Sequence, residues 1–183
     1  MVLAFLLWGS GRKLPGEAAL NRLLALPLFS AALWAGTVLV AGPALAAPPP
    51  CGVNLASEQV INAVRALPPY PGTGWAWDSN PRTFEGNFNP CATLSTALVT
   101  VEGATGSSPV TAMMFHNGAY LGTATSKAYG FTSLNGPATT DDTVVLNYKT
   151  PGACNACAPA AVTSVRYQWQ GDHVAMLDPP PPS

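Results

Sequence analysis

Charge is what this chain has least of: its 183 residues include 8 basic and 9 acidic side chains, and the basic ones never cluster. A surface that tracks nucleic-acid phosphates needs a stripe of Lys and Arg, so no nucleic-acid partner is expected. Histidine is scarcer still, with only His116 and His173. Each lies beside a proposed turn, where a polar, solvated ring needs no catalytic explanation. A nucleophilic triad requires a His held by a carboxylate and facing Ser or Cys. The Gly-x-Ser-x-Gly elbow that would supply the serine is missing, and so is any phosphate-binding glycine loop. Asp141-Asp142 has the look of a paired acid, but adjacent carboxylates before a strand usually mark a turn. The expectation from these absences is a non-enzymatic protein with no cofactor and no metal.

What the chain does have is a long apolar run. Leu23 to Ala41 is 19 residues interrupted by Pro27 and Ser30, with Arg12, Lys13 and Arg22 before it and Ala44-Leu45-Ala46 after it. A basic entrance, an apolar middle and a small-residue exit are the marks of a secretory signal. Residues 1–46 therefore read as a signal peptide cleaved after Ala46, and 47–50 as a proline-rich spacer. The alternative is an uncleaved anchor, since 19 residues at about 1.5 Å each approach the thickness of a bilayer core. A second apolar patch, Met1 to Gly11, precedes the charges, and a misassigned start site would account for it. Either reading places the remainder outside the cytoplasm, where cysteines can be oxidised.

Lipidation of Cys51 would need small or aliphatic residues just upstream. Pro48-Pro49-Pro50 stand there, and their fixed φ makes a stiff polyproline spacer. Cys51 is accordingly read as a disulfide partner. The 137 residues after Ala46 suffice for one domain and carry five basic against eight acidic groups. Low charge with abundant Thr, Ser, Ala and Gly suits a secreted, β-rich domain.

Asn54 and Ser57 offer capping oxygens before Val60, Ile61, Val64 and Leu67, which recur at helical spacing, and Pro68-Pro69 end the run. This predicts one helix over about 57–66, with its apolar stripe against a sheet. Ile61→Ala should then cost about 2–5 kcal/mol if Ile61 is buried. From Cys91 onward, six short β-rich runs follow: Leu94–Glu102, Val110–His116, Ala119–Ala124, Thr143–Lys149, Val162–Trp169 and His173–Leu177. Asn117-Gly118 is the strongest hairpin signal, because that pair accepts the positive φ angles of a type I′ turn. In the fifth run Thr163, Val165, Tyr167 and Trp169 share a face opposite Ser164, Arg166 and Gln168. The expected fold is α+β: an antiparallel sheet of about six strands with one N-terminal helix packed on it, in a single domain over 51–178. Asp178 and the closing prolines, 179–183, are expected to trail free.

Residues 68–90 form a long irregular segment holding Tyr70, Trp75, Trp77, Phe84 and Phe88. A loop of this length is either functional or tied down. In one reading the aromatics fill the core end of a small domain. In the other, Trp75, Trp77, Phe84 and Phe88 are a stacking platform for a carbohydrate or lipid. Cys154-Asn155-Ala156-Cys157 is the motif with chemical potential. A redox pair should open a helix whose N-terminus lowers a thiol pKa, whereas Pro151-Gly152 precede this one and Ala158-Pro159 follow it. A zinc site would need a second close pair, and Cys51 and Cys91 are the other thiols. A structural disulfide is expected. Of three possible connectivities, Cys51–Cys91 with Cys154–Cys157 is predicted, because the first encloses the whole aromatic loop and contributes about 4 kcal/mol on the chain-entropy model. The second, a short ring, contributes about 2 kcal/mol.

Several segments in order resemble the LppP/LprE family of mycobacterial envelope lipoproteins. These are Cys51-Gly52-Val53-Asn54-Leu55-Ala56-Ser57, Gly86-Asn87-Phe88-Asn89-Pro90-Cys91-Ala92-Thr93-Leu94-Ser95, Met114-Phe115-His116-Asn117-Gly118, Tyr129-Gly130-Phe131, Asp142 to Tyr148, and Val165 to Trp169. Family members are typically lipoproteins, and this chain lacks a lipobox before Cys51. The resemblance implies an exported, envelope-associated domain and carries no catalytic residues to transfer. The functional expectation is a secreted or envelope-associated, non-enzymatic domain that binds an envelope component or partner protein. The alternatives are carbohydrate or lipid binding through the 70–88 aromatics and extracytoplasmic redox chemistry at Cys154/Cys157. Membrane association is expected only through an uncleaved leader.

Overall fold

The computed structural model describes residues 50–182, so the proposed signal peptide and most of the proline spacer lie outside the described residues. The helix, α1, spans Glu58–Arg65. Ser57 caps it, its hydroxyl oxygen accepting from the Val60 N–H at 3.3 Å, and Glu58 and Arg65 complement the helix dipole at opposite ends. Its buried face is Val60, Ala63 and Val64, with Leu67 packing partly behind them. Ile61, expected in the buried stripe, is only half-buried. At about 100° per residue, positions 60, 63, 64 and 67 fall in one arc, and 61 lies at its edge.

Eight strands follow. The first four are β1 (Glu85–Gly86), β2 (Ser95–Thr100), β3 (Val110–His116) and β4 (Ala119–Thr123). The rest are β5 (Thr132–Leu134), β6 (Thr143–Thr150), β7 (Ala161–Trp169) and β8 (Val174–Met176). All six expected strands are present within a few residues of the expected limits. They do not form one sheet, however. They divide, with the very short β1 and β5, into two four-stranded antiparallel sheets ordered β1-β2-β3-β4 and β5-β6-β7-β8.

The division follows from β2 and β3, which are apolar on both faces. Ala97, Val99, Met113 and Phe115 point at α1, while Leu98, Ala112 and Met114 point the other way. A sheet buried on both sides needs a cover on each. The second sheet supplies it with Val144, Leu146, Tyr148, Val165 and Tyr167, and turns Ser164 and Arg166 to solvent. The result is three layers (helix with loop, first sheet, second sheet) and two cores. The β3–β4 turn has Asn117 at φ 46° and Gly118 at φ 79°, the type I′ pattern expected of that dipeptide.

The long loop after α1 is tied at its far end to the segment that precedes the helix. Cys51 is bonded to Cys91, and Asn54 N–H donates to Phe88 C=O at 2.9 Å. In its middle, Trp77 bridges to Val101 and Asp78 N–H donates to Thr100 C=O at 2.8 Å. Cys154 and Cys157 form the second predicted bridge, in the exposed β6–β7 connection.

The chain end differs from expectation. Asp178 is gripped by Arg166, whose Nε and Nη2 donate to its two carboxylate oxygens at 2.7 and 2.8 Å. Pro180 and Pro181 beyond it are half-buried, so this segment follows the domain surface rather than trailing free. A bidentate guanidinium holds the carboxylate in a geometry that the proline run alone does not announce. Among the described residues no helix is long and apolar enough to cross a membrane.

Candidate functional site

The four aromatics proposed as a platform are not brought together. Phe84 (7 % exposed) and Phe88 (0 %) lie in the core between α1 and the first sheet, where Phe88 meets Phe115 edge-on at 4.7 Å. Both rings are packed in that core with Val60, Val64, Val99 and Met113 rather than set on an open surface. Trp75 is 52 % exposed and stacks on Tyr70 at 6.3 Å. Trp77 meets Tyr70 at 5.9 Å and near right angles, and its indole N–H donates to Pro68 C=O at 2.8 Å. Of the proposed set, Trp77 lines the cleft between this loop and the first sheet.

That cleft, of about 540 Å³, lies beneath the start of the long loop and against the exposed edge strand β4. Leu67, Pro68, Tyr70, Pro71 and Trp77 form one wall. Tyr120 and Gly122 of β4 and the 125–128 loop form the other. The two walls are about fifty positions apart in sequence and meet because α1 packs across the first sheet near β4. Burial raises the Tyr120 phenol above its ordinary pKa, so the ring presents a neutral O–H. The 125–128 loop is braced from within: the Thr123 hydroxyl donates to Thr125 C=O at 2.9 Å, and that of Thr125 to Lys127 C=O at 2.7 Å. Sequence reasoning missed Leu67, Tyr120 and this loop. The available signal was Tyr120 at an exposed edge-strand position beside the Thr125-Ser126-Lys127 cluster.

A smaller cleft of about 340 Å³ opens between the sheets, from Met114 and Leu121 to Trp169, His173 and Met176. Gly122 and Thr123 border both clefts.

The histidines are placed differently from each other. His116 is not simply solvated: it stacks on Trp169 with ring centres 3.8 Å apart, and its Nδ1 lies 2.6 Å from Thr93 C=O. A carbonyl can only accept, so Nδ1 carries the proton, and Nε2 faces the Asn117 amide nitrogen at 3.0 Å. The ring clasps the ends of β3 and β7 together. His173 pairs with Asp172 at 2.6 Å in open solvent, which lowers the Asp172 pKa through the hydrogen bond and charge of the imidazole. No hydroxyl or thiol bonds its other nitrogen among the described residues.

Asp141 and Asp142 serve the turn. Asp141 accepts from the Thr93 hydroxyl at 2.7 Å. Asp142 accepts from Thr140 and Thr143 at 2.8 and 2.9 Å, and these hydroxyls hold its pKa below the ordinary value. No group of three His, Cys, Asp or Glu that could hold a metal gathers among the described residues. The Cys154–Cys157 bridge lies in an exposed turn with strands on either side and no helix behind it.

Residues 86–172 match the family model described as LppP/LprE lipoprotein. The chain is 34 % identical to LprE of Mycobacterium leprae, a protein named as a lipoprotein, over 73 % of this chain and 66 % of that one. It is also 34 % identical to LprE of Mycobacterium tuberculosis strain H37Rv, over 70 % of this chain and 59 % of the relative. The match thus spans somewhat under two thirds of these relatives' own length. No solved structure matches the chain with significance. With its motifs distributed through both sheets and the loop that closes the first, this chain belongs to the LppP/LprE lipoprotein family.

Proposed function

We propose that this is a non-enzymatic binding domain of the cell envelope, and that its ligand, an envelope component, sits in the cleft between the 67–77 segment and β4. The family's lipoprotein character supports the envelope location. The observation that carries the binding reading is the cleft itself: about 540 Å³, walled by Leu67, Pro68, Tyr70, Pro71, Trp77 and Tyr120. Its size and mainly apolar lining are those of small-molecule sites. The chemistry elsewhere fits a non-catalytic role. Asp141 and Asp142 are consumed by turn hydrogen bonds, and His116 by the clasp between sheets.

The test is to titrate fractionated envelope extract into the protein while following tryptophan emission, alongside a Ser126→Trp variant. Ser126 is an exposed rim residue, so the bulky ring closes the mouth without entering the core. At least one fraction should perturb the wild type, and Ser126→Trp should lose that response. A response indifferent to the block moves the site elsewhere. A second reading, thiol–disulfide exchange at Cys154/Cys157, draws on their exposure. It predicts that the reduced pair transfers electrons to a test disulfide, and Cys154→Ser abolishes the transfer.

A further inference from the structure

We propose that the groove between Tyr129-Gly130-Phe131 and the β6–β7 connection docks a proline-rich segment of a partner protein, with the chain's own closing prolines as its competing occupant. This site goes beyond the cleft at Trp77, with which it shares no lining residue.

The first observation is what already sits there. The groove, of about 310 Å³, is lined by Tyr129, Phe131 and Pro151 together with Pro181 and Pro182 of the tail. The Leu177 N–H donates to Arg166 C=O at 2.8 Å, as a continuing strand would. Proline carries no N–H, so the residues beyond Asp178 cannot lengthen β8 by ladder bonds. Pro180 and Pro181 are nevertheless half-buried. Apolar contact of their rings keeps the segment down once the Arg166–Asp178 clasp has aimed it.

The second observation is how Tyr129-Gly130-Phe131 is built. Phe131 stands at φ 56°, in the left-handed region that a bulky side chain enters at a cost. A Cβ on Gly130 would lie 2.9 Å from the Ser107 carbonyl oxygen, so only glycine fits without a shift of the backbone. Tyr129 is fixed by two backbone bonds with Val110, each of 3.1 Å, and its ring meets Tyr148 edge-on at 5.1 Å. Strain of this kind persists where the surroundings enforce it, and it clusters at ligand clamps. Here it sets two aromatic residues, on either side of one glycine, along a single groove.

The third is the chemistry of the walls. A polyproline II helix offers ring faces and carbonyl oxygens but no donors, and its stiffness keeps the entropy lost on binding small. Its complement is a set of aromatic rings beside hydrogen-bond donors. Tyr129 and Phe131 supply the rings, and the Thr150 hydroxyl and the Asn155 amide supply the donors. The Cys154–Cys157 bridge closes the turn that carries Asn155, where the Cys157 N–H donates to Cys154 C=O at 3.1 Å.

The test uses the full chain made in its native host, a fluorescein-labelled decaproline peptide as probe and a Gly-Ser peptide of equal length as control. The wild type should bind decaproline, and a variant carrying both Pro180→Gly and Pro181→Gly should bind it about tenfold more tightly. That factor is the release from a tail that fills the groove about nine-tenths of the time. Neither protein should bind the control peptide. In amide NMR spectra of the double variant, decaproline should shift Gly130, Phe131, Thr150 and Asn155. Phe131→Asn in the same background should weaken the peptide about tenfold, since asparagine accepts the left-handed backbone and lacks the apolar ring.

No binding of decaproline by the double variant would overturn the groove as a polyproline site. Equal binding by the wild type and the double variant would overturn the tail as its competitor. Amide shifts centred anywhere else, the Trp77 cleft included, would overturn the location. Binding of the Gly-Ser peptide as tightly as decaproline would show that proline is not what is recognised. Full affinity after Phe131→Asn would remove that ring from the contact.

Discussion

The two sheets are the same size and share the same antiparallel pairing, yet they stand in different surroundings. In the first, β2 and β3 are buried along nearly their whole length, between α1 with its loop on one face and the second sheet on the other. In the second, β7 alternates buried Val165 and Tyr167 with exposed Ser164 and Arg166. A strand covered on both faces reads as a continuous apolar run, and one covered on a single face alternates. The same distinction separates where the domain should be fragile from where it should tolerate change.

The sharpest way to break this comparison is to substitute one residue on each side of it. Phe88→Ala removes a fully buried ring from between α1 and the first sheet and should cost about 3–5 kcal/mol. Ser164→Ala on the open face of β7 should stay within about 0.5 kcal/mol. Urea unfolding of both variants decides it, and similar losses would mean the second sheet is covered in solution. Ile61→Ala, at the flank of the helix, should fall below the roughly 2–5 kcal/mol of a buried isoleucine.

Next in size is the difference between the two bridges. Replacing Cys51 and Cys91 together by Ala should destabilise by about 4 kcal/mol, since the bridge closes a separation of 40 residues. Replacing Cys154 and Cys157, separated by 3, should cost about 2 kcal/mol. Equal losses would show that loop length is not what matters here.

Between the sheets, the Tyr148 and Tyr167 hydroxyls are bonded at 2.8 Å in a buried setting. Tyr167→Phe should cost about 1–3 kcal/mol by leaving a polar partner underused, while Tyr148→Phe with Tyr167→Phe recovers part of that loss. Burial raises both phenols above the ordinary value, and the pair's mutual contact raises Tyr167 further. The unfolded chain therefore ionises first. The contribution of these tyrosines is complete below about pH 10 and declines as pH rises beyond it.

The smallest effect is local. Asp178 is brought to about 2, first by the side-chain hydrogen bonds from Arg166. Its contribution is present above the unfolded value of about 3.9 and is lost as pH falls toward 2. Arg166→Gln should move the Asp178 midpoint, followed by carboxyl NMR, back toward the ordinary range. An unchanged midpoint would mean that the backbone N–H of residue 166, at 3.0 Å, holds the carboxylate by itself.

What was legible in the sequence was local. The Ser57 cap, the proline stop, the Asn117-Gly118 turn and the alternation of β7 are each set by a few neighbouring residues, and each stands in the structure. The cysteine pairing was legible too, because a long irregular segment needed closing. The split into two sheets was not, since Ser95, Thr96 and Thr111 interrupt the apolar residues of β2 and β3 and are nonetheless buried, so the pattern does not announce that both faces are covered. β1 and β5, of two and three residues, are too short for any period to show. The cleft was legible only through Trp77. Phe84, Phe88, Trp75 and Trp77 are alike in composition and differ in exposure, which depends on where α1 lies. The opposite wall comes from a distant part of the chain, and no local pattern pairs Tyr70 with Tyr120.

The bridge from Cys51 to Cys91 also sets how the domain would respond to being pulled. Tension applied at Pro50 reaches Cys51 one residue later and crosses directly to Cys91, four positions before β2, the inner strand of the first sheet. The helix, the aromatic loop and the cleft wall between them lie off that line of force. Gly52 N–H to Asn89 Oδ1 at 3.0 Å and Asn54 N–H to Phe88 C=O at 2.9 Å run beside it as parallel fasteners. A domain tugged from its N-terminal side would therefore load β2 directly and spare the helix and the loop wall of the cleft.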